Sequence, residues 1–198
     1  MKVKCDEEGI LKASEIIKNG GIAVYPTDTV YGIGCNPYLK ESVDKIYKIK
    51  NRDRSKPLPL LSYSIEKAGE IVSFDDKTKK IIEKFWPGAL TVILKVNDQK
   101  LIESLGIDDK IAIRIPNSKC ILSLLQKIDF LVGTSANISG EKSFKDPKDC
   151  SEGLENFEVF VDGGIIESKG ESTIIEVVDD KIKIIREGAI SKEEILSI

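Results

Sequence analysis

A chain of 198 residues with 41% apolar and 32% charged residues has the length and core-forming content of one globular domain. It contains no histidine, which excludes Ser-His-Asp and Cys-His catalysis, imidazole acid–base chemistry and histidine metal sites. The net charge of −3 weighs against a broad nucleic-acid-binding surface but leaves room for a local cationic pocket.

No apolar run reaches the roughly 18 residues of a membrane span. The N-terminus, Met1 to Glu8, is charged and carries no signal-peptide core, so a cytoplasmic protein is expected. Cys5, Cys35, Cys120 and Cys150 form no C-x-x-C pair. Buried, reduced thiols are expected, with neither a zinc site nor a disulfide framework.

Taken in chain order, residues 9–19 carry the helical spacing Ile10, Leu11, Ile16 and Ile17, and Gly20-Gly21 ends that helix. Ile22 to Tyr25 reads as a buried strand stopped by Pro26, and Val30 to Cys35 as an extended, glycine-punctuated segment. Leu39 to Ile49 is helical through Val43, Ile46, Tyr47 and Ile49. Leu58 to Leu61 is extended, and Pro59 suggests an edge or irregular strand. Thr78 to Phe85 is a helix closed by Trp86-Pro87-Gly88. Leu90 to Val96 and Ile111 to Ile115 are strands, Ser118 to Ile128 a helix, and Phe130 to Val132 a short strand running into a polar loop. Thr173 to Val178 and Lys181 to Arg186 make a hairpin across Asp179-Asp180. A last short helix begins at Ser191, with Glu194 completing a capping box. This alternation predicts one α/β domain over residues 1–198.

Four segments carry groups suited to chemistry. The first is Lys48 to Lys56, where five cations crowd one stretch of an acidic chain and two of the four arginines sit. Lys50, Arg52 and Lys56 have the spacing to surround a polyphosphate, with arginine supplying a fork and lysine a point charge. A solvated helix end, its cations complementing the helix dipole, is the alternative.

The second is Pro26 to Gly34. It sets Thr27, Asp28 and Thr29 just beyond a strand, and Gly32 and Gly34 would let backbone approach a ligand. A hydroxyl-rich turn is the alternative. The third is Ser135-Ala136-Asn137 with Ser139, Gly140 and Ser143, a candidate anion-binding nest or a loop that satisfies its own backbone. The fourth is the strand-borne pair Arg114 and Arg186. A buried guanidinium needs a carboxylate partner or an anionic ligand. No Walker A loop and no G-x-G-x-x-G occurs, so any nucleotide would lie in a different kind of cradle.

Together these residues resemble the YrdC-like family, the threonylcarbamoyl-AMP synthases. The resemblance rests on Pro26-Thr27-Asp28-Thr29-Val30-Tyr31-Gly32, Lys50-Asn51-Arg52, Ser135 to Gly140, Glu171-Ser172-Thr173-Ile174 and Arg186-Glu187-Gly188. Five motifs in order cover roughly residues 8–190. The resemblance implies an α/β fold, a twisted open mixed sheet with flanking helices around a basic concave cavity. It implies a nucleotidyltransferase: L-threonine, bicarbonate and ATP give threonylcarbamoyl-adenylate and diphosphate, with Mg²⁺ accompanying ATP and no protein-held metal. A downstream tRNA threonylcarbamoyl transferase complex would use the product to make threonylcarbamoyladenosine in tRNA.

Carried over, L-threonine would be held by Thr29, Arg114, Gly133 and Ser172. ATP would be held by Lys50, Arg52, Lys56, Ser135, Asn137, Ser143 and Arg186, with Lys50 and Arg52 as catalytic cations. The chain departs from the family at Asp53, where a proline is common, at Leu61, a histidine in longer members, and at Lys110, where others place a hydroxyl. The C-terminal lid domain of longer members is expected to be missing. Two further readings stand beside the synthase: a module binding tRNA or double-stranded RNA, and a paralogue adenylating another carbamate.

Overall fold

The computed structural model describes residues 1–197. In chain order the elements are β1 (Lys2–Lys4), α1 (Glu7–Lys18), β2 (Ala23–Pro26), β3 (Tyr31–Gly34), α2 (Lys40–Ile49), β4 (Leu60–Ser62), α3 (Ile65–Gly69) and α4 (Asp76–Phe85). Then follow β5 (Leu90–Lys95), α5 (Gln99–Leu105), β6 (Lys110–Arg114), α6 (Lys119–Ile128), β7 (Phe130–Val132), β8 (Thr134–Ser135) and α7 (Pro147–Gly153). The chain closes with β9 (Val159–Asp162), β10 (Thr173–Val178), β11 (Lys181–Arg186) and α8 (Lys192–Leu196).

The strands divide between two mixed sheets rather than one. The first runs β1-β9-β2-β3-β8 and the second β11-β10-β5-β6-β4-β7. Most of the chain's apolar strands serve one continuous core, which joins Ile33 and Phe160 of the first sheet to Leu60, Val92 and Ile113 of the second. A smaller core packs Ile10, Ala13 and Ile17 of α1 against Ile121, Leu124 and Leu125 of α6 over Ala23 and Val159. Each fully buried Ile or Leu contributes about 1.5–3 kcal/mol of transfer free energy.

Local signals set the element ends. Asp6 accepts from Gly9 N at 2.9 Å and caps α1, so the helix starts two residues before the apolar periodicity does. Asp179 and Asp180 both take positive φ, 49° and 57°, which lets a two-residue turn join β10 to β11 without glycine. Ser191 and Glu194 form the expected capping box at α8.

Two expectations are corrected here. Pro59 does not mark an edge: β4 lies between β6 and β7, and Pro59 stands just before it, using only its carbonyl, which accepts from Gly133 N at 2.9 Å. Nor are all four thiols reduced. Cys5 and Cys120 form a disulfide, their Cα atoms 5.8 Å apart across 115 residues of sequence, while Cys35 and Cys150 are free and buried. The pairing follows from the packing of α1 on α6, a long-range contact that cysteine spacing cannot encode.

Candidate active site

The two sheets meet where β3 passes β7. Tyr25 donates its hydroxyl to Val132 O at 2.9 Å, and Val132 N donates to Cys35 O at 3.0 Å. A Cβ on Gly34 would lie 1.8 Å from Val132 O, and one on Gly32 would lie 2.7 Å from the Tyr25 ring. Gly34 therefore serves the sheet junction, while Gly32 packs on its cross-strand partner Tyr25 and also lines the adjoining cavity. Gly133 is similar, since a Cβ there would fall 2.3 Å from Leu61 Cγ.

Beside this junction opens a cavity of about 830 Å³, counting space open to solvent. The first sheet contributes Tyr25, Thr27, Thr29 and Ser135, and the second Leu61, Thr91, Arg114, Ser172 and Arg186. Arg52 enters from the loop after α2 and Glu171 from the approach to β10. Three of the chain's four arginines thus reach one cavity.

Each arginine is held by named acceptors. Arg114, last residue of β6, is 6% exposed. Its Nε donates to Gly88 O at 2.8 Å, Nη1 to Thr29 Oγ1 at 2.9 Å and Nη2 to Asp28 Oδ1 at 2.6 Å. Arg186 ends β11 and donates to Ser172 O from Nη2 at 2.8 Å, while Nη1 pairs with Glu171. Arg52 donates from Nε to Lys56 O at 2.9 Å and from Nη2 to Pro57 O at 3.1 Å.

Burial lowers the proton affinity of Arg52 and Arg114, and the charge of Arg186 pushes both the same way, while Asp28 opposes the shift at Arg114. The three guanidiniums therefore share one positive field. Hydroxyls line it as well: Thr29 Oγ1 lies 3.0 Å from Thr27 Oγ1, and Ser172 Oγ lies 2.8 Å from Thr91 Oγ1.

Of the residues singled out in the sequence, Thr29, Arg52, Arg114, Gly133, Ser135, Ser172 and Arg186 line this cavity. Lys50, Lys56, Asn137 and Ser143 do not form its wall. Lys50 is 1% exposed and turned into the loop beyond β8. Its Nζ donates to Ser135 O, to Asn137 O at 2.7 Å and to Asn137 Oδ1 at 3.2 Å. Burial, followed by the charge of Arg52, pushes its pKa down to about 8. Asn137 is equally internal, donating from Nδ2 to Glu141 O at 2.6 Å. Lys56 is exposed and offers only its carbonyl to Arg52, and Ser143 is half-buried between β8 and α7. Lys110 pairs with Glu176 at 2.7 Å at the far end of β6, away from the cavity.

Sequence reading passed over Thr91 in the wall and the Gly88 carbonyl behind Arg114, while Thr27 and Asp28 were singled out with their hydroxyl–carboxylate run but given no individual role. The Gly88 carbonyl leaves no mark in a sequence.

A cavity between two mixed sheets is thus walled by three guanidiniums and paired hydroxyls, groups whose chemistry suits an anionic ligand. The Sua5/YciO/YrdC family model, described as "Telomere recombination", matches residues 15–188, and the chain belongs to that family. A Methanocaldococcus jannaschii protein named "Putative threonylcarbamoyl-AMP synthase" is 39% identical over 190 residues, covering 93% of this chain and 90% of that one. The Bacillus subtilis "Threonylcarbamoyl-AMP synthase" is 29% identical, with all of this chain aligned to 58% of it. The crystal structure of Pyrococcus abyssi Sua5 complexed with L-threonine matches all of this chain and 59% of its own, at 28% identity and a TM-score of 0.91. The chain thus spans somewhat over half of these last two relatives.

Proposed function

We propose that this chain is a threonylcarbamoyl-AMP synthase, converting L-threonine, bicarbonate and ATP to threonylcarbamoyl-adenylate and diphosphate. The observation that carries this reading is the convergence of Arg52, Arg114 and Arg186 with Thr29 and Ser172 in one cavity. Relatives that bear the synthase name, and a Sua5 structure that holds L-threonine, support it.

The cavity divides naturally. Arg114, with Thr29 beside it, suits the carboxylate of L-threonine, since two of its N–H groups remain after its three anchors are counted. Ser172 lies within reach of the same region through Thr91 and Arg186. Arg52 and Arg186 suit the phosphates of ATP, and Ser135 offers a hydroxyl near them. Mg²⁺ would enter with ATP as part of the substrate and supply charge neutralisation at its phosphates. Lys50 contributes by fixing the backbone of Ser135 and Asn137 rather than by reaching substrate.

In the reaction the neutral amine of L-threonine adds to CO₂ supplied by bicarbonate, giving a carbamate and releasing a proton. A carbamate oxygen then attacks the α-phosphorus of ATP in line, and diphosphate leaves with the bonding pair. Neither step needs a protein nucleophile or a histidine. Catalysis is positioning together with neutralisation of the charge that develops on phosphate and diphosphate oxygens. The adenylate serves a transferase that modifies tRNA.

The test is mass-spectrometric detection of threonylcarbamoyl-adenylate from the three substrates. Product that appears only with L-threonine supports the reading. Adenylate formed equally with other amino acids would favour a paralogue acting on another carbamate.

A further inference from the structure

Asp28 contributes no atom to the wall of the arginine cavity. It lines a separate opening, together with Cys5, Asn117, Ser118, Cys120 and Glu167. From there its Oδ1 accepts from Arg114 Nη2 at 2.6 Å, with side-chain exposures of 7% for Arg114 and 16% for Asp28. Asp28 therefore reaches the main cavity only through the guanidinium.

A guanidinium carries five N–H groups in one plane. In Arg114 the Gly88 carbonyl takes Nε, Thr29 takes one on Nη1, and Asp28 takes one on Nη2. One N–H is left on each terminal nitrogen, the pairing that a carboxylate accepts in a two-pronged contact. Without Asp28, Nη2 would be anchored by nothing on its own side, while Arg186 would still push against the charge. The plane could then tilt about the Nε and Nη1 anchors.

We propose that Asp28 is a positioning residue that holds the Arg114 guanidinium in the plane that receives the substrate carboxylate, without itself touching substrate. The inference rests on the threonine site proposed above. It assigns Asp28 to threonine binding and gives it no part in binding ATP.

Titration calorimetry of L-threonine and ATP separately, on wild type, Asp28→Ala and Asp28→Asn, provides the test. Asp28→Ala should weaken L-threonine about tenfold or more, as expected for loss of a charge-assisted anchor, and leave ATP within about twofold. Asp28→Asn keeps an acceptor at the same place and should recover most of the L-threonine affinity. Equal L-threonine affinity in wild type and Asp28→Ala overturns the proposal, as does parallel loss of both ligands, which would report general damage to the site.

Proton–nitrogen correlation spectra of the four arginine side chains give a second readout that needs neither threonine nor a variant. In ligand-free wild type the terminal N–H signals of Arg114 should be separate and slow to interchange, and averaged signals would refute a held guanidinium. A wild type that binds no L-threonine sinks the proposed function instead, and the spectra still decide whether Arg114 is held.

Discussion

Arg114 shows how much a single residue can disclose. A guanidinium at the end of the apolar strand Ile111-Ala112-Ile113 calls for an anionic partner, and the structure supplies Asp28 and an open cavity together. Arg186 was legible for a similar reason, as a cation ending an apolar strand, and Ser172 only through the resemblance of its motif. Lys50 was legible as important but not as internal, because its three acceptors are an amide oxygen and two carbonyls that no pattern announces.

The burial of Lys50 has a measurable consequence. Its pKa is about 8 in the fold against 10.5 for the ordinary side chain. Between those values the unfolded chain binds more protons, so this group makes the fold more stable as pH rises from 8 to 10.5, and its cost is fully present below 8. Urea unfolding of wild type and Lys50→Met at about pH 7.5 and about pH 10 should show the difference moving toward wild type by roughly 1–3 kcal/mol. A difference that stays constant with pH would mean Lys50 is not perturbed.

At the scale of elements, helices and strands with clear periodicity were found close to their observed bounds: α2, α4, α6, β5, β6 and the β10–β11 hairpin. The short pieces β1, α3, α5, α7, β8 and β9 were not, because two to seven residues of mixed composition carry too little period to read. β9 in particular is defined by its parallel pairing with β1 and β2, partners more than a hundred residues away.

The junction of the sheets is likewise a tertiary fact, and Gly34 is its tightest point. Gly34→Ala should cost about 3 kcal/mol or more, because the clash is with a backbone carbonyl that cannot rotate away. Denaturant unfolding with wild-type stability in that variant would show that the sheets do not meet there.

The Cys5–Cys120 bridge clamps α1 to α6 and closes a loop of 115 residues. Reduction, or Cys5→Ser, should lower stability by about 3–5 kcal/mol on the chain-entropy model. An unchanged melting temperature with and without a dithiol reductant would count against the bridge.

For the molecule as a whole, charge is apportioned unevenly. A chain of net charge −3 concentrates three of its four arginines in one cavity, with Glu171 and Asp28 as their carboxylate partners. Lysines form surface pairs such as Lys12–Glu8 and Lys67–Glu70, contacts that solvent screening keeps weak. Most of the guanidinium charge is thus gathered in the cavity. No helix among the described residues is long and apolar enough to cross a membrane. The family was legible from motif order alone. The two-sheet construction that makes the cavity was not, since β3 and β7 meet through contacts such as Val132 N to Cys35 O that no local pattern encodes.

The central claim is that this cavity couples ATP cleavage to L-threonine through Arg114. The most direct measurement is diphosphate release from ATP and bicarbonate, with and without L-threonine, on wild type and on Arg114→Ala. The account predicts release that depends on L-threonine in wild type and falls at least about a hundredfold in Arg114→Ala, the usual cost of losing one such charged contact. Release that ignores L-threonine, or that survives in Arg114→Ala at the wild-type rate, would contradict it.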